Sequence, residues 1–309
     1  MFPSIRRVAF AARCAAVAIA LPAAVHAQEK LPVVATFSIL GDFVKNVGGD
    51  RVSVTLLVGP EGDAHVYQPS PADAKKLAGA KVIFVNGFKF EGWIDRLIKA
   101  SGSKASLVVA TKGIKPREMA EEDHDAKKGK TPEHGVDPHA WQSIANARVY
   151  VTNIRDALIA ADPAGQEIYQ KNAAGYLAKL AAVETEVKEG IDKIPAERRK
   201  IITSHDAFGY FGATYGFEFI APQGVSTETE VSARDVAKII RQIKAQKIPA
   251  VFIENISDPR LMQRIADETG AKIGGKVYSD ALSAEGGPAA TYIDMMRHNI
   301  RQFSAALTS

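Results

Sequence analysis

The sequence predicts an α/β protein: two doubly wound (β/α) lobes with mostly parallel sheets, joined by one long backbone helix. Three observations carry this expectation. Short β-rich apolar runs alternate with amphipathic helical stretches from Leu31 onward, which is the order that builds a parallel sheet with helices on both faces. The same alternation returns in the last third of the chain. Between the two, a helical apolar stripe runs for more than twenty residues with no glycine-rich linker.

In chain order, PVVATFS, RVSVTLLVG, KVIFVNG and SLVVAT read as strands. ILGDFVKNVGG, SPADAKKLAGA and WIDRLIKAS lie between them and read as helices with Gly or Ser near their ends. A long helical stretch follows from about Ser143 to Arg198, broken at Asp162-Pro163. Asp162 is placed to cap the next helix and Pro163 to fit its first turn. Ile168, Tyr169, Ala173, Tyr176, Leu177, Leu180, Val183, Val187 and Ile191 keep helical spacing and form the connecting stripe. KIITS, FEFIAP, AVFIEN and KIGGKVYS are the second set of strands. GYFGATYG, SARDVAKIIRQIKAQK, PRLMQRIADETG and TYIDMMRHNIRQFSAAL are the second set of helices. The expected division is 28–162 for the first lobe, 163–198 for the linking helix and 199–309 for the second lobe. A ligand of such a fold belongs at the carboxyl ends of the strands, in the cleft.

Residues 1–27 read separately, as a cleavable export signal. Arg6, Arg7 and Arg13 give a positive start, Cys14 to Ala24 is apolar, and Val25-His26-Ala27 ends in a small-x-small cleavage pattern. The apolar run is far shorter than the roughly 20 residues that span a bilayer. Cys14 stands at the start of that run beside Arg13, a poor setting for lipid attachment, so a soluble, monomeric periplasmic product is expected. Cleavage removes three arginines and no acid, so the formal charge falls from +4 to +1. Nothing in that balance suggests a nucleic-acid partner. The single cysteine leaves as well, so a metal site in the remainder must use nitrogen and oxygen.

Residues 113–138 interrupt the rhythm with a dense run of charge, including His124 and His134, and almost nothing apolar. A solvated loop is expected. Weak collection of metal by its two histidines is the alternative.

Four residues stand out where apolar runs end or loops tighten: His65 in GDAHVYQPSP, His139 in DPHAW, His205 in TSHDAF and Asp280 in VYSDAL. Three imidazoles and a carboxylate suit a first-row divalent metal, most naturally Zn²⁺. They could meet only if the two lobes face each other across a cleft. Glu254 and Asp206 are candidates to orient a ligand imidazole. Trp93, Phe88, Phe90, Trp141, Phe208, Tyr210 and Phe211 read as core packing, with lining of the cleft as the alternative. His298, within the last helix, reads as a surface or packing residue.

The stretches VGPEGDAHVYQPSPAD, DPHAW, TSHDAFGYFGATYG and YSDALS resemble the metal-binding solute receptors of bacterial zinc and manganese ABC importers, over about Pro32 to Leu307. The resemblance implies His65, His139, His205 and Asp280 as the ligand set. In that family the residue after TS is histidine in many zinc receptors and often glutamate in manganese receptors; here it is His205. It also implies two (β/α) lobes joined by a long helix, and delivery of the ion to a membrane permease driven by a separate ATPase subunit. Zinc receptors of the group often carry a histidine-rich loop, whereas EEDHDAKKGKTPEH holds only two histidines. Zinc is the expected cargo, with Mn²⁺ the alternative and iron behind both.

Two rival functions are weaker. A zinc metallohydrolase would use the three histidines with an open position for water, but HExxH, a nucleophile elbow and a phosphate loop are all missing from the sequence. The chain is therefore not expected to be an enzyme. A receptor for a chelated metal or a vitamin would line its cleft with arginines and aromatics rather than compact ligands.

Overall fold

Eight short strands alternate with nine helices among the residues that the computed structural model describes, 29–118, 135–228 and 230–308. Residues 1–27, expected to be an export signal, and most of the charged loop with His124 and His134 lie outside the described residues. The first lobe runs β1 (Leu31–Ala35), α1 (Ser38–Gly48), β2 (Val52–Leu56), α2 (Pro71–Gly79), β3 (Val82–Val85), α3 (Ile94–Ser101) and β4 (Ser106–Val109). Two long helices follow, α4 (Ile144–Ala161) and α5 (Gln166–Asp192). The second lobe runs β5 (Lys200–Ile202), α6 (Gly209–Tyr215), β6 (Glu218–Ile220), α7 (Ala233–Gln246), β7 (Ala250–Glu254), α8 (Pro259–Thr269), β8 (Lys272–Val277) and α9 (Tyr292–Leu307).

Every strand pair is parallel, and the two sheets are wound alike: β2-β1-β3-β4 and β6-β5-β7-β8. In each, the chain crosses to one neighbour of its first strand and then to the other. The crevice between crossovers opens at the carboxyl ends of β1 and β3 in one sheet, and of β5 and β7 in the other.

Local sequence explains where the elements start. Ser70 and Asp73 form a reciprocal capping box at α2, with Pro71 in the first turn. Ser232, Asp258 and Thr291 each accept a backbone N–H at the head of α7, α8 and α9. β8 carries two glycines because it is squeezed. A Cβ on Gly274 would sit 2.4 Å from the Phe252 ring, and Gly275 holds a left-handed φ of 115°.

α5 buries Tyr169, Ala173, Tyr176, Leu180, Val183, Val187 and Ile191 against α1 and α4 of the first lobe and α9 of the second. One apolar core therefore continues from Val33 through this helix to Leu307. Ile168 departs from the expected stripe and is 43% exposed. The buried positions begin at Tyr169, and a residue one step earlier is turned about 100° off that face. Asp162 occupies the expected cap position at the head of the 163–165 turn that leads into α5, with Pro163 in the first turn, and it has a further role. Its carboxylate accepts hydrogen bonds from Arg51 (2.7–2.9 Å) and from the Tyr169 hydroxyl (2.7 Å), tying the α4–α5 corner to the end of α1. A second, separate apolar cluster, including Ile202, Val236, Ile243, Val251 and Met262, lies under α7 and α8.

Candidate metal centre

His65 lies on the loop between β2 and α2, and His139 in the turn leading to α4. His205 follows β5 and Asp280 follows β8. All four reach one point: one donor atom from each lies within 4.8 Å of the other three. His65 Nε2 is 3.3 Å from His139 Nε2. Asp280 Oδ2 is 3.1 Å from the Nε2 of both His65 and His205, and 3.5 Å from that of His139. His139, His205 and Asp280 are fully buried, and His65 is 5% exposed.

Two of the imidazoles are held from behind by an acid. His139 Nδ1 and its backbone N–H both meet Asp137 Oδ1, at 2.9 and 3.0 Å. His205 Nδ1 lies 2.5 Å from Glu254 Oε2, and its backbone N–H donates to Glu254 Oε1 at 2.8 Å. Such contacts fix the ring and leave Nε2 as the outward donor. Glu254 was anticipated from sequence; Asp206 was not placed correctly, because its carboxylate is not the one against the His205 ring. Asp137 was missed, although the acid two residues before His139 in DPH was a readable signal. Gly209, at the start of α6, makes room for this arrangement. A Cβ there would fall 2.5 Å from Asp137 Oδ2 and 2.4 Å from the Arg117 guanidinium.

Asp280 belongs to the second lobe by sequence, yet the first lobe holds its backbone. Trp141 Nε1 and Gln142 Nε2 both donate to Ser279 O (2.9 and 2.8 Å), and Leu282 N donates to Ser38 Oγ (2.9 Å). The aromatics join both readings made for them. Phe90 packs edge-on against His65 with ring centres 4.7 Å apart, and Trp141 against His139 at 5.3 Å, while both remain core residues. Trp93, Phe208, Tyr210 and Phe211 are buried in the core. Phe88 is half-buried at a left-handed φ of 53°. His298 packs on Tyr278, away from the site, and its Nε2 meets Lys276 O at 2.9 Å.

Burial opposes charge on His139, but Asp280 and Asp137 outweigh it and push its pKa up to about 9. At His205 burial is likewise outweighed, by Glu254 and Asp280, and the pKa rises well above its usual value. Burial would raise Asp280, yet His139 and His205 hold it well below the ordinary carboxylate range. The cluster thus attracts positive charge at its centre, whether protons or a metal ion. Asp280 Oδ1 is buried without a hydrogen-bond partner and is available as a further donor.

The family model described as zinc-uptake complex component A, periplasmic, matches residues 33–306. The chain belongs to this family. It is similar to the manganese-binding lipoprotein MntA of Halalkalibacterium halodurans, with 36% identity over 280 residues, covering 91% of this chain and 89% of that one. Iron-binding protein YfeA of Yersinia pestis is also 36% identical, over 273 residues, covering 88% and 85%. Among solved structures, the periplasmic zinc binding protein TroA from Treponema pallidum superposes with a TM-score of 0.82 at 30% identity, covering 91% of this chain and all of that one. The receptor is thus an extracytoplasmic metal-binding component of an ABC transporter rather than an enzyme, and it works with that transporter's permease and ATPase.

Proposed function

We propose that the receptor captures Zn²⁺ with His65, His139, His205 and Asp280, and releases it to the permease. The distances within the cluster are the observation that carries this reading. Zinc bonds of about 2.0–2.1 Å in a tetrahedron set neighbouring donors about 3.3 Å apart. Four donor pairs already lie at 3.1–3.5 Å. Three imidazoles and one carboxylate also supply the donor softness that zinc prefers, and they close the coordination shell without an open position for chemistry.

Manganese is the second reading. It favours more oxygen, and Asp280 Oδ1 could supply a fifth donor from within the same residue. The names of MntA and YfeA refer to manganese and iron, so the family spans several cargoes. In-vitro affinity alone would favour zinc by the Irving–Williams order. Metal analysis of the receptor isolated from its native compartment is therefore the test. Near-stoichiometric zinc supports the first reading, and dominant manganese replaces it with the second. We propose cleavage after Ala27 and a freely soluble periplasmic form; the mass of the exported protein checks both.

A further inference from the structure

The loop that brings His65 to the cluster differs from the supports of the other three donors. His139, His205 and Asp280 are fully buried and braced by buried partners, whereas His65 is the one donor with any exposure. It also lines a cavity of about 410 Å³ at the surface, with Phe88, Pro138, Val225, Ser226 and Glu228. The cluster therefore meets solvent on the His65 side.

That loop is strapped to the second lobe at two points. Glu61, at a left-handed φ of 58°, donates its backbone N–H to Leu282 O at 2.9 Å. Its carboxylate accepts from Asn255 Nδ2 at 3.2 Å and lies 3.4 Å from Lys276 Nζ. Non-glycine residues adopt this backbone conformation infrequently, and here it aims both the amide and the side chain across the cleft. Two residues on, Asp63 uses both oxygens. Oδ1 accepts the backbone N–H of His65 at 2.9 Å, and Oδ2 accepts the Thr227 hydroxyl at 2.6 Å. The chain of contact therefore runs from the second lobe through Thr227 and Asp63 to the backbone of a metal-cluster histidine.

Resting on the proposed four-residue site, we infer that Glu61, Asp63 and Thr227 are positioning residues that keep the His65 loop closed over the ion, and that they set its rate of release. None of them touches the ion. Their contacts cross the divide that must part when His65 swings away, so each one lost lowers the barrier to exit.

The test is release of Zn²⁺ from the loaded receptor into excess chromophoric chelator, followed by stopped flow. Thr227→Val and Glu61→Ala should each speed release about fivefold, the equivalent of one hydrogen bond. The double variant should approach the product of the two. Thr227→Ser, which keeps the hydroxyl, should release at the parent rate. Single variants within about twofold of the parent, or Thr227→Ser releasing as fast as Thr227→Val, would overturn the inference. His65→Ala separates the two levels. If it loses zinc while Glu61→Ala and Thr227→Val behave as the parent, only the strap is wrong. If it retains zinc at parent affinity, the site itself is wrong.

Discussion

Each lobe presents the cluster with a histidine braced by a carboxylate, but the two braces are built differently. In the first lobe the acid is local: Asp137 sits two residues before His139 on one turn, and a single oxygen takes both the ring and the backbone N–H. Its other oxygen faces Arg117 at 3.3 Å. In the second lobe the acid is distant: Glu254 ends β7, 49 residues from His205, and commits one oxygen to the ring and the other to the backbone. The same task is thus done once by a short motif and once by the packing of two neighbouring strands. A local brace tolerates loss of one oxygen, while the distant one has none to spare.

Removing a donor should cost most, in either lobe. Asp280→Ala and His139→Ala are each expected to weaken zinc binding by more than the roughly 10- to 100-fold typical of losing an outer partner. Isothermal titration would measure this. A donor variant with parent affinity in one lobe only would mean that the ion is held by one side of the cleft.

Proton competition comes next and acts on both braced histidines. His139 lies above its ordinary 6.5, at about 9, so in the metal-free receptor its pairing with Asp280 and Asp137 stabilises fully below about pH 6.5. That contribution is lost as pH rises through about 9. Asp280 is depressed, so its share of the pairing holds above 3.8 and fades only as pH falls through its lowered value. An entering ion displaces the imidazole proton, so affinity should climb about tenfold per pH unit across the same window, per proton released. Titrations between pH 6 and 9, with metal-free melting curves alongside, should show affinity rising while metal-free stability falls. Affinity independent of pH would contradict an imidazole-dominated site.

The braces themselves give the sharper contrast. Glu254→Gln must turn an NH₂ group toward either the His205 ring or its backbone N–H, and should cost about 10- to 100-fold in affinity. Asp137→Asn can keep its oxygen on His139 and turn the amide toward Arg117, which brings two donors together at a partly exposed contact. Its cost should fall below that of Glu254→Gln. Equal losses would show that the two braces are equivalent despite their construction. The smallest effect belongs to His298→Ala, which should leave affinity within about twofold, as a substitution remote from the cluster.

This contrast also explains what could be read from the chain. The strands and helices were legible because their apolar periods are local, and the four cluster residues because each ends a short motif at a strand terminus or tight turn. Asp137 was within reach on the same grounds. Glu254 was anticipated as an orienting residue, but which histidine it serves depends on β5 and β7 lying side by side in the sheet, which no spacing in the sequence encodes. The pinning of Ser279 by Trp141 and Gln142 was hidden for the same reason, being a contact between lobes 137 and 138 residues apart. Ile168 was misjudged where local propensity gave way to the tertiary face of α5, and the pairing of the cap residue Asp162 with Arg51 was hidden because 111 residues separate them.

The most direct measurement is zinc K-edge X-ray absorption on the receptor loaded with one equivalent of Zn²⁺. Three imidazole nitrogens and one carboxylate oxygen at about 2.0–2.1 Å, without a bound water, is the predicted shell. Fewer than three imidazoles, or a water in the fourth position, would contradict capture by four side chains drawn from both lobes.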